Sequence, residues 1–144
     1  MERKGVSYDV GRVMAGNWRP DFDLKVVQRE LEIVRDDLHC NAVRICGRDI
    51  DRLVMAAGMA LRLGLEVWLS PELWDKSQAE TLAYITKAAM AAEALRAQWP
   101  KRLVLLVGAE LTLSYADDRH GMTYPDLSWE PKKSFKAVAD YYAR

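Results

Sequence analysis

The sequence predicts an α/β fold built on a parallel β-sheet, and three observations support this. Four short runs rich in Val, Ile and Leu stand at 4–10, 41–47, 65–71 and 102–108. Longer stretches with apolar residues at helical spacing separate these runs. No tight turn joins one run to the next, so hairpins are excluded and right-handed helical crossovers must connect parallel strands. The expected order is therefore β-α-β-α-β-α-β.

The first two helices have recognisable boundaries. The first is expected over about 23 to 38, with Asp23 as its N-cap. The second begins at Asp49, and Gly64 follows it in the position of a C-terminal glycine. The apolar face of the first helix consists of Val27, Leu31, Val34 and Leu38. The apolar face of the second consists of Leu53, Val54, Ala57 and Leu61.

The third helix begins at the stretch "SQAE" (77–80), in which Ser77 and Glu80 have the spacing of a capping box. Pro100 closes this helix, because proline cannot continue a helical hydrogen-bond pattern. Its expected apolar face consists of Leu82, Ile85, Ala89, Ala92 and Leu95.

The chain of 144 residues fits one domain, 1–144, with the four βα-type units in residues 1–115. The stretch 116–131 is polar and rich in turn residues, and it is predicted to be a loop. A last helix is expected over 132–143, with Pro131 before it. One face of this helix carries Phe135, Val138 and Tyr142.

Composition excludes several classes of function. Lys plus Arg equals Asp plus Glu at 21 each, and basic residues form no large cluster, so no nucleic-acid partner is expected. The start "MERKG" lacks the apolar region of a secretory signal, and no apolar stretch approaches the ~20 residues that cross a bilayer. We therefore expect neither secretion nor a membrane partner.

Cys40 and Cys46 are six residues apart on one predicted strand, which places them ~20 Å apart at ~3.3 Å per residue. A disulfide cannot span that distance, so both are expected to be free thiols. Free thiols are typical of a reducing compartment, and a cytoplasmic location follows.

Four charged residues are expected at one edge of the sheet. Side chains alternate along a strand, and the carboxyl ends of parallel strands share one edge. One choice of register places Asp9, Arg44, Glu72 and Glu110 on the same face, each near the end of its strand. Arg44 stands inside the apolar run "NAVRICG", so it requires a carboxylate partner if it is buried. This edge is the predicted ligand site.

Other kinds of site find little support in the sequence. His39, Cys40, Cys46 and His120 lack the spacing of a zinc site, and no metal is expected. No glycine-rich phosphate loop follows a strand, and Ser70 lacks the glycines of a nucleophile elbow, so no cofactor and no serine triad are predicted. Trp68 and Trp74 flank Glu72. They are expected either to pack or to stack on a sugar ring.

The stretch from "KGVSYDVG" to "VGAELTLSY" resembles the first four βα units of a glycoside-hydrolase-type (β/α)8 barrel, of the clan whose acid/base glutamate follows strand 4. Arg44 matches the arginine that such barrels carry at the end of strand 2. The tail "SWEPKKSFKAVADYYA" (128–143) resembles the final segment of these enzymes. We expect some similar sequences to carry the label of abortive-infection proteins, which has little mechanistic content. The resemblance implies a partial, half TIM-like barrel with a C-terminal helix.

The sequence departs from this family in two ways. Ala109 stands where the clan has an asparagine before the acid/base residue. A full barrel has about 250 residues, so this chain is expected to join strand 4 to the end of strand 8 without units 5–7. No residue matches the clan's nucleophile on strand 7, and Glu72 would have to replace it.

Two functions therefore stay open. In the first, the protein hydrolyses a glycosidic bond with Glu110 as general acid and Glu72 or Asp9 as the second carboxylate. Arg44 then orients a carboxylate, and Asp9, Arg44, Trp68 and Trp74 contact the carbohydrate. In the second, an inactive half-barrel binds a saccharide or a protein. In both cases the apolar face that carries Ala42, Trp68 and Leu106 would be uncovered in a monomer, so we expect a homodimer or an aggregation-prone monomer.

Overall fold

The structure of the protein is a computed structural model that describes residues 3–11, 19–74 and 76–107. Glu110, the predicted loop 116–131 and the predicted helix 132–143 lie outside these residues. The elements follow the predicted order: β1 Gly5–Asp9, α1 Leu24–Asp36, β2 Ala42–Gly47, α2 Ile50–Arg62, β3 Glu66–Pro71, α3 Gln78–Gln98 and β4 Leu103–Leu105. The α/β prediction is confirmed for this part of the chain.

The four strands form one parallel sheet in the order β1-β2-β3-β4. Because each strand pairs with the next one in sequence, right-handed crossovers carry every connecting helix over the same face of the sheet. The core agrees, since alternate strand residues such as Val43, Ile45 and Val67 form one buried cluster with Leu31 of α1 and Leu53 of α2. This arrangement is compatible with a partial repeat of βα units.

The predicted helix caps are confirmed. The Asp23 carboxylate accepts a hydrogen bond from the Lys25 amide at 2.8 Å, and the Asp49 carboxylate accepts one from the Arg52 amide at 3.0 Å. Ser77 and Glu80 form both halves of the capping box. Each cap satisfies amide groups that have no partner inside the helix.

Gly64 ends α2 as predicted. Its φ of 87° lies in the left-handed region that glycine adopts without steric cost. The amide groups of Gly64 and Leu65 donate to the carbonyl oxygens of Leu61 and Ala60, both at 3.0 Å. This pair of bonds is the Schellman arrangement, and it satisfies carbonyl groups of the last turn.

Two predicted apolar faces are wrong in part. Helix α1 ends at Asp36, and Leu38 is exposed beyond it. In α3 the side chain of Leu82 is 66% exposed, whereas Thr81, Ala88, Ala92 and Leu95 are buried. The reason is that apolar residues occur all round α3, so their spacing does not define one face. The small side chains of Ala88 and Ala92 let the helix approach its neighbours closely.

Both cysteines are free, as predicted, and both are buried. The prediction that they share one strand is wrong, because β2 begins at Ala42 and Cys40 precedes it. None of the three helices in the described residues is long and apolar enough to cross a membrane. Ala42, on the face opposite the helices, is buried rather than open, and Trp68 and Leu106 on the same face are half-buried.

Candidate functional site

The strand register brings the predicted polar residues to one face. Ser7 pairs with Arg44 and Arg44 with Trp68, while Asp9 pairs with Cys46 one step nearer the carboxyl edge. In a parallel sheet, residues paired in this way point to the same face. This face lies opposite the helices, whose side of the sheet carries the alternate residues. The predicted shared face is confirmed for the strands, and Glu110 lies outside the described residues.

Glu72 follows β3 and keeps the alternation of the strand. Its amide donates to the Gly47 carbonyl oxygen at 2.9 Å, which extends the pairing between β2 and β3 past the last strand residue, Pro71. This bond fixes the backbone of Glu72 at the carboxyl edge. The side chain of Glu72 therefore lies where the sequence predicted it, next to the end of β2.

Arg44 and Glu72 form an ion pair at this edge. Arg44 Nη2 lies 2.8 Å from Glu72 Oε1 and donates to the Ser70 hydroxyl at 3.1 Å. The side chain of Glu72 is 3% exposed, and that of Arg44 is 31% exposed. Arg44 thus has a carboxylate partner although it is only half-buried, and the buried member of the pair is Glu72, whose carboxylate is costly to bury without a cation beside it.

Arg44 also has a donor without a partner. Its Nε atom is buried and makes no hydrogen bond. The guanidinium group has five N–H donors, and Glu72 Oε1 and the Ser70 hydroxyl engage only the Nη2 end. The ion pair thus leaves hydrogen-bonding capacity in the guanidinium group at the centre of the site.

Asp9 shapes the turn that follows β1. Its Oδ1 atom accepts a hydrogen bond from the Gly11 amide at 2.7 Å, two residues further on. Its carbonyl oxygen accepts one from Arg19 Nη1 at 3.1 Å. An aspartate that bonds to the backbone two residues ahead forms an Asx turn. Asp9 lies on the predicted face and edge, and its carboxylate has a structural task there.

The two tryptophans differ in exposure. Trp68 is half-buried, and its indole N–H donates to Glu66 Oε1 at 2.7 Å, towards the amino end of β3. This hydrogen bond, together with Arg3, lowers the pKa of Glu66. Trp68 also lines a depression of about 260 Å³ on the open face with Ser7 and Arg44. Trp74 is buried, so stacking on a sugar would require its ring to become accessible.

Tyr84 of α3 belongs to the surroundings of the site, and the sequence reasoning missed it. Its hydroxyl donates to the Arg48 carbonyl oxygen at 2.7 Å, just after β2. Burial raises the pKa of Tyr84, and the negative charge of Glu72 raises it further, against the lowering effect of Arg48. A polar aromatic residue in the first two turns of a helix that follows β3 lies near the carboxyl edge. The position of Tyr84 in the sequence was therefore the signal that could have identified it as a neighbour of the site.

A second polar cluster lies on the helix side of the sheet. The Tyr8 hydroxyl donates to the Glu30 carboxylate, Arg19 donates to the same oxygen, and the Arg19 guanidinium lies 5.1 Å from the centre of the Tyr8 ring. Burial acts to raise the pKa of Glu30, but the hydrogen bonds from Tyr8 and Arg19 outweigh it and lower the pKa. Because Tyr8 alternates with Ser7 and Asp9, this cluster is separate from the Arg44–Glu72 pair.

Within the described residues, no group of three or more His, Cys, Asp or Glu side chains is arranged to hold a metal ion. The arrangement that the structure does offer is a carboxylate ionised by an arginine, beside a hydroxyl group, at the carboxyl edge of a parallel sheet. Such a carboxylate can accept a proton or attack an electrophile. No model of a known protein family matches the chain, and no curated protein matches it significantly.

Proposed function

We propose that this protein is a glycoside-hydrolase-like half-barrel that acts on a carbohydrate at the carboxyl edge of its sheet. The observation that carries the proposal is the Arg44–Glu72 ion pair, which is 2.8 Å long and has a buried carboxylate, at the edge where parallel α/β folds bind their ligands. The sequential strand order and the helices on one face support a repeat of βα units of the barrel type.

In this proposal the two carboxyl groups have different protonation states. The ion pair with Arg44 requires Glu72 to be a carboxylate, which suits a nucleophile or a general base. Glu110 is then the general acid that protonates the leaving oxygen. The alternation of side chains along a strand, which predicts Glu110 on the face of Glu72, supports this pairing. Their separation sets the stereochemistry, at about 5 Å for retention and about 6.5–9.5 Å for inversion.

The remaining predicted site residues contact the carbohydrate in this proposal. Trp68 offers part of its indole face on the open side of the sheet, and the exposed part of the Arg44 guanidinium group donates to a hydroxyl oxygen. Asp9 contacts the carbohydrate at the turn after β1. Trp74 contacts it once the Trp74 ring becomes accessible. No cofactor is needed for hydrolysis by two carboxyl groups.

A homodimer is part of the same proposal. Strands β1 and β4 are the edges of the sheet, and Val104 of β4 is exposed on the face opposite the helices. Open edges favour association through unpaired backbone groups. Pairing β4 of one copy with β1 of the other brings the Asp9 and Glu72 residues of both copies to the same carboxyl edge of the combined sheet. The two free cysteines fit a reducing compartment, and we place the protein in the cytoplasm.

Hydrolysis of a panel of aryl glycosides tests the enzymatic proposal. We expect Glu110→Gln and Glu72→Gln each to reduce kcat by about 10²–10⁴-fold, the typical contribution of a positioned acid or base. Asp51→Asn is the matched control, since this exposed carboxylate lies on α2 away from the ion pair. Unchanged rates in the Glu110→Gln variant, or no hydrolysis of any glycoside by folded wild-type protein, would contradict the proposal.

The second candidate is a catalytically inactive module that binds a saccharide or a protein. The observation in its favour is the 3% exposure of the Glu72 side chain, whose Oε1 is held by Arg44. A carboxylate so enclosed orders the arginine for ligand binding without reaching a sugar carbon. Saccharide-induced changes in the amide NMR spectrum of wild-type protein that lacks hydrolytic activity, and their loss in Arg44→Met, distinguish this candidate from the enzyme.

A further inference from the structure

Helix α3 carries a second apolar face that packs against nothing in the described residues. Its buried side consists of Thr81, Ala88, Ala92 and Leu95. On another side, Leu82 is 66% exposed and Met90 is 72% exposed. A helix with apolar residues all round is normally enclosed on more than one side. We therefore expect another segment or molecule to pack against this outer apolar face of α3.

The exposed face has the form of a groove. It is shallow, has a volume of about 570 Å³, and is lined by Ile85, Thr86, Ala89, Met90 and Glu93. Leu82 precedes Ile85 by three residues and Thr86 by four, so it continues the same stripe at helical spacing. From Leu82 to Glu93 the stripe is about 16 Å long at 1.5 Å per residue. These dimensions suit one short helix lying along α3.

We infer that residues 132–143 of this chain form a helix that docks in the α3 groove. The segment places Phe135, Val138 and Tyr142 at spacings of three and four residues, which puts them on one helix face. Its length as a helix is about 16 Å, equal to that of the stripe. An apolar face of matching length on the same chain fits the groove without a second molecule.

The path of the chain favours this occupant. Each described helix contacts the next one in sequence, α1 with α2 and α2 with α3. A helix that follows β4 in the pattern of α1, α2 and α3 lies on the same face of the sheet and next to α3. The chain leaves β4 at the carboxyl edge, where α3 begins, and residues 108–131 are more than long enough to reach the groove. The inference is independent of the proposed hydrolase activity.

Disulfide formation in the full-length protein tests the contact directly. The variant Ala89→Cys/Val138→Cys is expected to form an intramolecular disulfide under mild oxidation, visible as a monomer of altered mobility on a non-reducing gel. The matched control is Ala94→Cys/Val138→Cys, because Ala94 is exposed on α3 about 140° round the helix from Ala89. Cys40 and Cys46 are buried and present in every variant.

A double-mutant cycle on the same chain gives a second measurement. We expect Ile85→Ala and Phe135→Ala each to lower Tm by about 5–10 °C, since each removes apolar contacts from one interface. The double variant should lose clearly less than the sum, because the two residues share contacts. These mild substitutions keep the test valid where a charged substitution would prevent folding.

Three outcomes would overturn the inference. A disulfide-linked dimer would show that a second copy fills the groove. Equal cross-linking at Ala89 and Ala94 would show that residue 138 has no fixed position on α3. Strictly additive Tm changes, or no effect of Phe135→Ala, would show that the segment does not contact the stripe.

Discussion

Removing Arg44 should destabilise the protein more than removing Glu72, although the two residues form the same ion pair. In Arg44→Met the charge left behind is Glu72, whose side chain is 3% exposed. Breaking a pair whose carboxylate is buried in this way costs about 3–5 kcal/mol, because the enclosed carboxylate loses the guanidinium group beside it and cannot reach water. For a chain of this size, about 3 °C per kcal/mol gives a fall in Tm of roughly 9–15 °C.

In Glu72→Gln the charge left behind is Arg44, whose side chain is 31% exposed and can reach water. The amide oxygen of the new glutamine still accepts a hydrogen bond from Arg44. The expected cost is therefore about 1–2 kcal/mol, or a fall in Tm of roughly 3–6 °C. The asymmetry follows from the burial of the Glu72 side chain and from the hydrogen bond that glutamine keeps with Arg44.

Urea denaturation at pH 7 and at acidic pH measures both effects. At acidic pH the difference in stability between Arg44→Met and wild type should narrow, since protonation removes the enclosed negative charge of Glu72. Arg96→Met is the matched control, because its pair with Glu93 is on the surface and should matter little. A Glu72→Gln variant that loses as much stability as Arg44→Met, or a gap that does not change with pH, would refute the reasoning.

Three further predictions concern single positions. Gly5→Ala should lower the free energy of unfolding by about 1–3 kcal/mol, because the added Cβ would lie 2.8 Å from the Ala42 carbonyl oxygen. Wild-type stability of Gly5→Ala would show that β1 can move away from β2 at little cost. Gly58→Ala should instead raise the free energy of unfolding by about 0.5–1 kcal/mol, since its Cβ would make ordinary contacts with Arg62 of α2 and Leu95 of α3. A loss in urea denaturation would contradict that close fit. The lowered pKa of Glu30 contributes stability above pH 4.5 that is lost as the pH falls below this value, so Glu30→Gln should flatten the acid side of the stability curve. An unchanged curve would exclude Glu30 as a source of acid sensitivity.

The sequence predicted the order of elements because each signal was local. The caps at Asp23, Asp49 and Ser77 involve residues that are close in sequence, and the structure contains the hydrogen bonds that their spacing implies. The shared face of Asp9, Arg44 and Glu72 followed from strand alternation, which has a period of two and tolerates no intermediate position. Local periodicity was therefore sufficient to predict both the sheet and the shared face of the charged residues.

Other features depend on contacts between residues that are distant in sequence, and local sequence patterns do not predict such contacts. Leu82 and Thr81 are neighbours, and only the packing of α3 on the sheet decides that Thr81 is buried and Leu82 exposed. Tyr84 lies close to the end of β2 because α3 starts at that edge and crosses it. The grouping of Tyr8, Arg19 and Glu30 likewise joins a strand, a connection and a helix.

Substitutions of the ion pair at the carboxyl edge can also distinguish a role in stability from a role in function. Apolar side chains of similar volume at positions 44 and 72 would join β2 and β3 at least as well, because a buried ion pair seldom improves on a well-packed apolar pair. A site that departs from the rule for maximal stability is most often a functional one. The double variant Arg44→Met/Glu72→Met should therefore be about as stable as wild type, while hydrolysis and saccharide binding are lost. A double variant that is stable and still active or still binds would locate the function elsewhere on the molecule. A double variant as unstable as Arg44→Met would show that the role of the ion pair is to stabilise the fold.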